Sequence, residues 1–356
     1  MVFFSVYLSS QLWPTIGFFR LTPMTEFPVF RSTALPQVLK ERALLLKQLR
    51  SFFDERDFFE VQTPVLSRDV LVDRYIDPFA VSTEDGVFYL QTSPEFALKR
   101  LLASGCERIY EITPAFRQGD RGRLHNPEFT ILEWYRVGDG YCEGITLLGE
   151  LAETFLPHPA KVKTACSSFG SLFIEKTGLN PHRATCRELR AAAGRLAPNY
   201  PDSYIQGETP AEVDDWIDYL FEETVQPTLG SGGPVIVYDY PVGEPQLAKV
   251  GPPLDAKGGA ESVTRRFELF YKGIELANGY DELTCPDLLR ARFAEAAADR
   301  RRRGAAELPT DSRLLAAMDA GLPPSSGCAL GVDRLLMLRL GLEMVDDVIS
   351  FPAEIA

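Results

Sequence analysis

Residues Phe116 to Tyr135 read F-R-Q-G-D-R-G-R-L-H-N-P-E-F-T-I-L-E-W-Y, and this stretch organises the rest of the chain. Ile109 to Thr113 before it predicts one strand and Glu128 to Tyr135 a second, with a glycine-rich basic loop between. A period of two puts Phe129, Ile131, Glu133 and Tyr135 on one face of the second strand. Thr130, Leu132 and Trp134 take the other. One face thus offers an aromatic plate, a carboxylate and a phenol in a row, while the other is core. Arg117 sits on the opposite arm and can point back over the same face. Its planar fork suits phosphate oxygens, and Phe129 suits stacking on a base. The plain alternative is a salt-bridged hairpin with a basic tip at Arg121 and Arg123.

Upstream, apolar residues at helical spacing (Leu39, Leu46, Leu49, Phe53) predict an amphipathic helix over Val38 to Phe59. It runs into Glu60-Val61-Gln62-Thr63-Pro64, a short strand closed by proline. Ser93-Pro94-Glu95 has the form of a helix start: a serine cap, proline at the first position and glutamate in the first turn. Capping accounts for Ser93 and Pro94 and leaves Glu95 able to hold a substrate ammonium. From about Gly144 to Thr228 the chain reads mostly helical. Strands return at Val235 to Tyr240 and Phe267 to Tyr271, and the Gly- and Pro-rich stretch Gly243 to Thr264 reads as a mobile loop. Adjacent strands without regular βαβ alternation predict an α+β fold, an antiparallel sheet flanked by helices.

Two further constellations stand out. In Phe267 to Leu283, Glu275 and Glu282 lie either side of Asn278-Gly279, a strong tight-turn dipeptide. A turn there would bring the two carboxylates near one point, where oxygen ligands could hold Mg²⁺ bridging phosphates; a hairpin with exposed acids is the alternative. In Gly327 to Arg334, an apolar strand meets Gly331, and Asp333-Arg334 open a leucine-rich helix whose N-terminus suits phosphate. The basic run Arg300 to Arg303 closes a helix, where cations complement the dipole or meet an acidic partner.

Composition narrows the function classes. Lys and Arg total 37 against 50 Asp and Glu, a net charge of −13, which gives no basic field for nucleic acid. The six cysteines show no C-x-x-C pair or metal-ligand spacing and read as reduced thiols of a cytoplasmic protein. Met1 to Arg20 is apolar but broken by Pro14 and Gly17, too short for a membrane span. Only three histidines occur, and no G-x-S-x-G or Cys/His signature points to hydrolysis. His125 alone lies in a motif, where it shapes the loop or touches phosphate.

Taken together, these blocks resemble the catalytic domain of class II aminoacyl-tRNA synthetases of the lysyl branch. The segment ending in Glu60 to Pro64 resembles motif 1, the dimer-forming element; Phe116 to Tyr135 resembles motif 2; Gly331 to Arg334 resembles motif 3. T-S-P-E, Leu247-Ala248 and G-I-E-L-A-N-G-Y-D-E-L match the lysyl pattern between them. Only 37 residues precede Val38, too few for an anticodon-binding barrel. The chain therefore resembles the stand-alone lysyl-synthetase paralogues that modify elongation factor P. The expected organisation is an extension over 1–30, from a mis-assigned start or a loose attachment, then a catalytic domain over 31–356 with a mostly helical insertion at 144–228.

The resemblance implies ATP-dependent, Mg²⁺-assisted formation of an adenylate of (R)-β-lysine, or lysine, and transfer to a lysine of elongation factor P by a homodimer. It gives Arg117 and Arg334 the catalytic charges. Gln118, Gly119 and Asn126 would line the ATP loop, with Phe129 on adenine. Glu275 and Leu276 would contact ATP and its metal, with Glu282 a second metal carboxylate; Gly331 and Arg334 would meet adenosine and the γ-phosphate. Ser93, Pro94, Glu95, Tyr135 and Glu282 would frame the amino acid, with Glu133 facing its distal ammonium. One departure stands out: the family's glutamate for the adenine amino group is Gly119 here, leaving Asp120 or a backbone carbonyl for that contact. Other acceptors (tRNA or a free amine) and a ligand-binding paralogue without turnover are the alternatives; the charge argues against tRNA, the intact arginines and glutamates against the last.

Overall fold

The computed structural model describes residues 30–157, 163–200, 212–243, 247–254 and 261–356. The expectations for the N-terminal extension and for parts of the Gly243 to Thr264 loop fall outside them.

Helix α1, Pro36–Asp54, begins with proline at its first position and buries Leu45, Leu49, Phe52 and Phe53 on one stripe. It is shorter than the periodicity predicts. The chain leaves it through Asp57 at φ 60, and the following strand, β1, is only Phe59–Glu60. A small antiparallel sheet follows, from β2 (Leu66–Ser67), β3 (Ala80–Thr83) and β4 (Gly86–Leu90). Helix α2, Glu95–Ala103, then leads to the featured pair, β5 (Arg108–Phe116) and β6 (Glu128–Val137).

The large sheet runs β1-β5-β6-β12-β11-β10-β8-β7, with β9 (Val250–Gly251) paired to β10. Here β7 is Ala165–Ser168, β8 Val235–Tyr240, β10 Val263–Tyr271, β11 Ile274–Asp281 and β12 Ser325–Gly331. Only the outer pairs β1–β5 and β7–β8 are parallel; the centre is antiparallel, as the sequence predicts. The stretch read as mostly helical also contains a strand. It carries α3 (Tyr141–Phe155), α4 (Phe169–Thr177), α5 (Cys186–Leu196) and α6 (Val213–Leu220), yet also supplies the edge strand β7. Four residues contain too little periodicity to announce a strand.

The two faces of β6 divide as the period of two requires. Leu132 and Trp134 join α1 and α3 in one core, where Phe53 stacks on Tyr110 at 4.9 Å and packs Trp134 at 5.2 Å. Each such side chain contributes about 1.5–3 kcal/mol by burial. Tyr135 instead joins Leu98 and Phe293 in a second core on the opposite face, with α7 (Pro286–Arg302) and α8 (Arg313–Gly321). The sheet centre is therefore held rigidly from both sides.

The basic run at the end of α7 does more than complement a dipole. Arg300 is 1% exposed and donates to the carbonyls of Asp73, Ile76 and Ala306 at 3.0, 3.3 and 3.1 Å and to the Asp77 carboxylate at 2.5 Å. It ties down the 73–77 segment, whose Asp77 carbonyl accepts from the Gln118 amide at 2.8 Å.

Candidate active site

A cavity of about 380 Å³ opens above the β6, β12 and β11 strands. Strand β6 contributes Phe129 and Ile131; β11 contributes Glu275, Leu276, Ala277, Asn278 and Tyr280; Gly331 and Arg334 come from the junction of β12 with α9 (Val332–Leu340). Ser93, Glu95, Arg117 and Asn126 also line it. Motifs far apart in sequence thus converge on one space.

At one end lie the arginines. The Arg117 guanidinium sits 5.0 Å over the Phe129 ring, and its Nε is buried without a hydrogen-bond partner. A buried charge-bearing donor left unpaired is costly unless an anion joins it. Arg334 is fixed differently. It donates to the Glu275 and Leu124 carbonyls at 2.9 and 3.2 Å and lies 2.6 Å from His125 Nε2. Lost solvation and the adjacent guanidinium hold the His125 pKa below the ordinary histidine value. His125 is therefore a neutral acceptor that orients Arg334, not a base.

The motif 2 loop is locked to the C-terminal segment. Arg121 pairs with Asp346 at 3.0 Å, and Val345 N–H donates to the Arg123 carbonyl at 3.0 Å. Asn126 Oδ1 accepts from Arg121 and from the Ala353 amide, both at 3.0 Å, while its Nδ2 donates to the Glu128 carbonyl at 2.7 Å. Asn126 thus holds the loop's shape as well as lining the cavity. Gln118 and Gly119 are exposed at the loop and lie outside the cavity wall. Gly119 has φ +85, a left-handed conformation that disfavours any larger residue, including the glutamate of the family pattern. Asp120, its neighbour, does line the cavity.

At the other end lies a carboxylate cluster. Ser93 Oγ accepts from the Glu95 amide at 3.0 Å and donates to Glu133 at 2.8 Å, but the helix starts one residue later than the sequence predicts, with Pro94 and not Ser93 at the cap. Pro94 is buried behind it. Glu133 also accepts from Tyr135 OH at 2.6 Å, and burial pushes its carboxyl pKa up to about 8. Burial raises the Tyr135 phenol well above its usual value too, so it remains a donor. Glu133, Tyr135 and Glu282 lie just behind the cavity wall formed by Ser93 and Glu95.

The expected turn at Asn278-Gly279 is absent. β11 runs straight through both residues, and the chain reverses instead at Lys272 (φ 51) and Gly273 (φ 75). Gly279 serves packing: a Cβ there would overlap the Phe267 ring and approach the Gly327 carbonyl at 2.9 Å. Glu275 and Glu282 are therefore not brought together by a hairpin. Glu275 faces the cavity beside Arg334, whereas Glu282 follows the strand's end and ion-pairs with Lys99 at 2.5 Å. Among the described residues no group of three or more His, Cys, Asp or Glu could hold a metal.

Several contributors escaped the sequence reading. Lys99 is one; its i,i+4 spacing from Glu95 was readable, its burial was not. Arg266 lines the cavity, pairs with Glu268 and donates to Asn278 Oδ1 at 3.2 Å, while Tyr240 OH also donates to Glu268. Arg266 and Glu268 alternate along β10, which is a signal for those two; Tyr240 comes from β8. Asp333 lines the cavity, but its oxygens are engaged within the protein: it accepts from the Thr130 amide at 2.7 Å and from Arg42 at 2.5 Å, tying α9 to β6 and α1.

Gly327 lets these parts fit. A Cβ there would overlap the Tyr135 ring and lie 2.5 Å from a Glu282 oxygen. Gly327→Ala is expected to cost about 1–3 kcal/mol of stability by overpacking. The melting temperature against the parent is the measurement; an unchanged value would contradict this packing.

The cavity thus sits on a central antiparallel sheet, lined by Arg117 and Arg334 and, at Ser93 and Glu95, backed by buried carboxylates. The chain matches the family of class II tRNA synthetases (D, K and N) over residues 25–355, and it belongs to that family. It is 37% identical to the elongation factor P–(R)-beta-lysine ligase of Vibrio parahaemolyticus, covering 92% of this chain and 99% of that one. The ligases of the same name from Vibrio cholerae (38%, 90% and 96%) and Haemophilus influenzae (37%, 93% and 99%) are similar over comparable spans.

Proposed function

We propose that the chain activates (R)-β-lysine, or lysine, with ATP as an aminoacyl-adenylate and passes it to a specific lysine of elongation factor P. The observation that carries this reading is one cavity lined both by Arg117, with its unpartnered buried Nε, and by Ser93 and Glu95, which stand in front of Glu133. In this reading the amino-acid carboxylate attacks the α-phosphorus, the bond to the bridging oxygen breaks, and pyrophosphate leaves. Arg117 stabilises charge developing on the phosphoryl oxygens without reorganising. Arg334, held by two carbonyls and His125, takes adenosine and the γ-phosphate, with Leu276 and Gly331 completing the wall. Phe129 stacks on adenine, and Asp120 replaces the missing glutamate at its amino group. A neutral lysine amine of the acceptor then attacks the adenylate carbonyl and AMP leaves.

Mg²⁺ arriving on the triphosphate would neutralise charge there. Glu275 fits that role, because it faces the cavity and makes no ion pair among the described residues. Glu282 does not, since the Lys99 ammonium already occupies one of its oxygens. Ser93, Pro94 and Tyr135 shape the amino-acid end, and Glu133 receives the distal ammonium. A homodimer through the motif 1 region is favoured by the exposed Leu44 and Phe59 on α1 and β1. Among the described residues no helix is long and apolar enough to cross a membrane.

The test is amino-acid-dependent ATP–pyrophosphate exchange with (R)-β-lysine, lysine and asparagine. Exchange is expected to be strongest with (R)-β-lysine, weaker with lysine and absent with asparagine. No exchange with any of the three would sink the adenylation reading.

A further inference from the structure

We propose that Arg121 is a positioning residue for nucleotide binding: gripped by the acidic segment after α9, it fixes the motif 2 loop so that Asp120 faces adenine. The inference deepens the adenylation reading and rests on its placement of ATP. Neighbouring side chains in this loop diverge. Asp120 lines the cavity, as do Leu124, His125 and Asn126, whereas Arg121 stands outside the wall and reaches the segment after α9. Its guanidinium makes paired contacts with the Asp346 carboxylate, from Nη1 at 3.1 Å and from Nη2 at 3.0 Å, and it also pairs with Glu354. The same Nη1 donates to Asn126 Oδ1 at 3.0 Å, so this arginine joins the loop's tip to its returning arm.

The flanks of Asp120-Arg121 are open: a Cβ at Gly119 or at Gly122 would meet nothing within 4 Å. The Gln118 amide is tied to the Asp77 carbonyl at 2.8 Å on one side, and Arg123 to the Glu343 carbonyl at 3.1 Å on the other. Between these two ties, Arg121 is the side chain that holds the loop. The segment that grips it is itself anchored. Thr33 donates from Oγ1 to the Asp346 and Ile349 carbonyls at 2.8 and 2.9 Å, and from its amide to the Ser350 carbonyl at 3.1 Å. Val345 and Ile349 of the same segment line the cavity. A planar fork with paired acceptors fixes orientation as well as distance. The Arg121 and Asp346 side chains are 30% and 23% exposed, so their pairing adds little to global stability. Its effect falls on the loop, because ordering Asp120 in advance removes a cost that ATP binding would otherwise carry.

The experiment measures binding of ATP, inosine triphosphate and (R)-β-lysine to the full chain by calorimetry, with the melting temperature alongside. Arg121→Ala should bind ATP about tenfold more weakly, keep its (R)-β-lysine affinity within twofold and melt close to the parent. Inosine triphosphate lacks the amino group that Asp120 accepts from, so its affinity should change less and the preference for ATP should narrow. Asp346→Asn with Glu354→Gln, which leaves Arg121 in place, should reproduce the ATP loss. Joining that pair to Arg121→Ala should add less than threefold, because the three side chains act as one unit. Arg121→Lys, a cation without the fork, should fall between parent and Arg121→Ala. An ATP affinity within twofold of the parent's in Arg121→Ala would overturn the proposal. So would equal losses for ATP and inosine triphosphate, or losses that multiply when the two sets are joined. Should Arg121→Ala not fold, the Asp346→Asn, Glu354→Gln pair decides: weaker ATP binding with unchanged (R)-β-lysine binding supports the proposal, and unchanged ATP binding overturns it. Because binding is read without turnover, a parent that binds ATP but lacks pyrophosphate exchange would count against the adenylation reading and leave this comparison intact.

Discussion

Arg117→Ala is expected to lower ATP–pyrophosphate exchange by about 10²–10³-fold or more, the usual cost of removing one preorganised donor from a charge-developing site. The fold should survive. Arg117 makes no ion pair among the described residues, and its Nε has no hydrogen-bond partner, so truncation breaks little within the protein. Its contact is with Phe129, at 5.0 Å from the ring centre. The variant should therefore unfold at a temperature close to the parent's while losing exchange. A folded and fully active Arg117→Ala would remove the phosphate role assigned to it.

Glu133→Gln should produce the second large effect, on the amino-acid side. Breaking a buried ion pair by removing one partner costs about 3–5 kcal/mol, or roughly 10²–10⁴-fold in kcat/KM for a substrate that buries an ammonium there. The loss should fall on the amino acid and spare the KM for ATP. A pH signature goes with it. Burial raises the Glu133 pKa to about 8, so the unliganded site binds a proton at neutral pH. A substrate ammonium favours the ionised carboxylate, hence amino-acid binding should strengthen as pH rises toward 8, until the substrate's own amines deprotonate. Glu133→Gln should flatten that limb. Stability runs the other way. Between the unfolded carboxyl pKa and about 8 the folded state holds more protons, so the unliganded parent should lose stability as pH rises through that window. Glu133→Gln should remove that dependence. A parent whose melting temperature and amino-acid KM ignore pH across this range would contradict the buried-carboxyl account.

How much of this was legible in the sequence differs from residue to residue. The two faces of β6 were, because a period of two is a property of the backbone and Glu133 and Tyr135 must share a side. Arg117 over Phe129 was also legible, from the two arms of one hairpin. Asn278-Gly279 misled because turn preference is local, whereas Gly279 is fixed by the Phe267 ring from the neighbouring strand. The true reversal at Lys272-Gly273 carries a weaker signal. Arg300 read as a dipole complement because its partners at residues 73–77 are distant in sequence and mostly backbone carbonyls. Lys99 followed the same logic: spacing showed its helical neighbour, and only the fold showed that Glu282 closes the other side. Gly119 gained a reason, since its left-handed backbone explains why the loop dispenses with a glutamate there.

The acceptor is the central claim, and it has a direct measurement. Purified chain, ATP and radiolabelled (R)-β-lysine are incubated with elongation factor P in one reaction and with total tRNA in another. The account predicts stoichiometric label on elongation factor P, lost when its acceptor lysine is replaced by arginine, and none on tRNA. Label on tRNA with none on elongation factor P would contradict it.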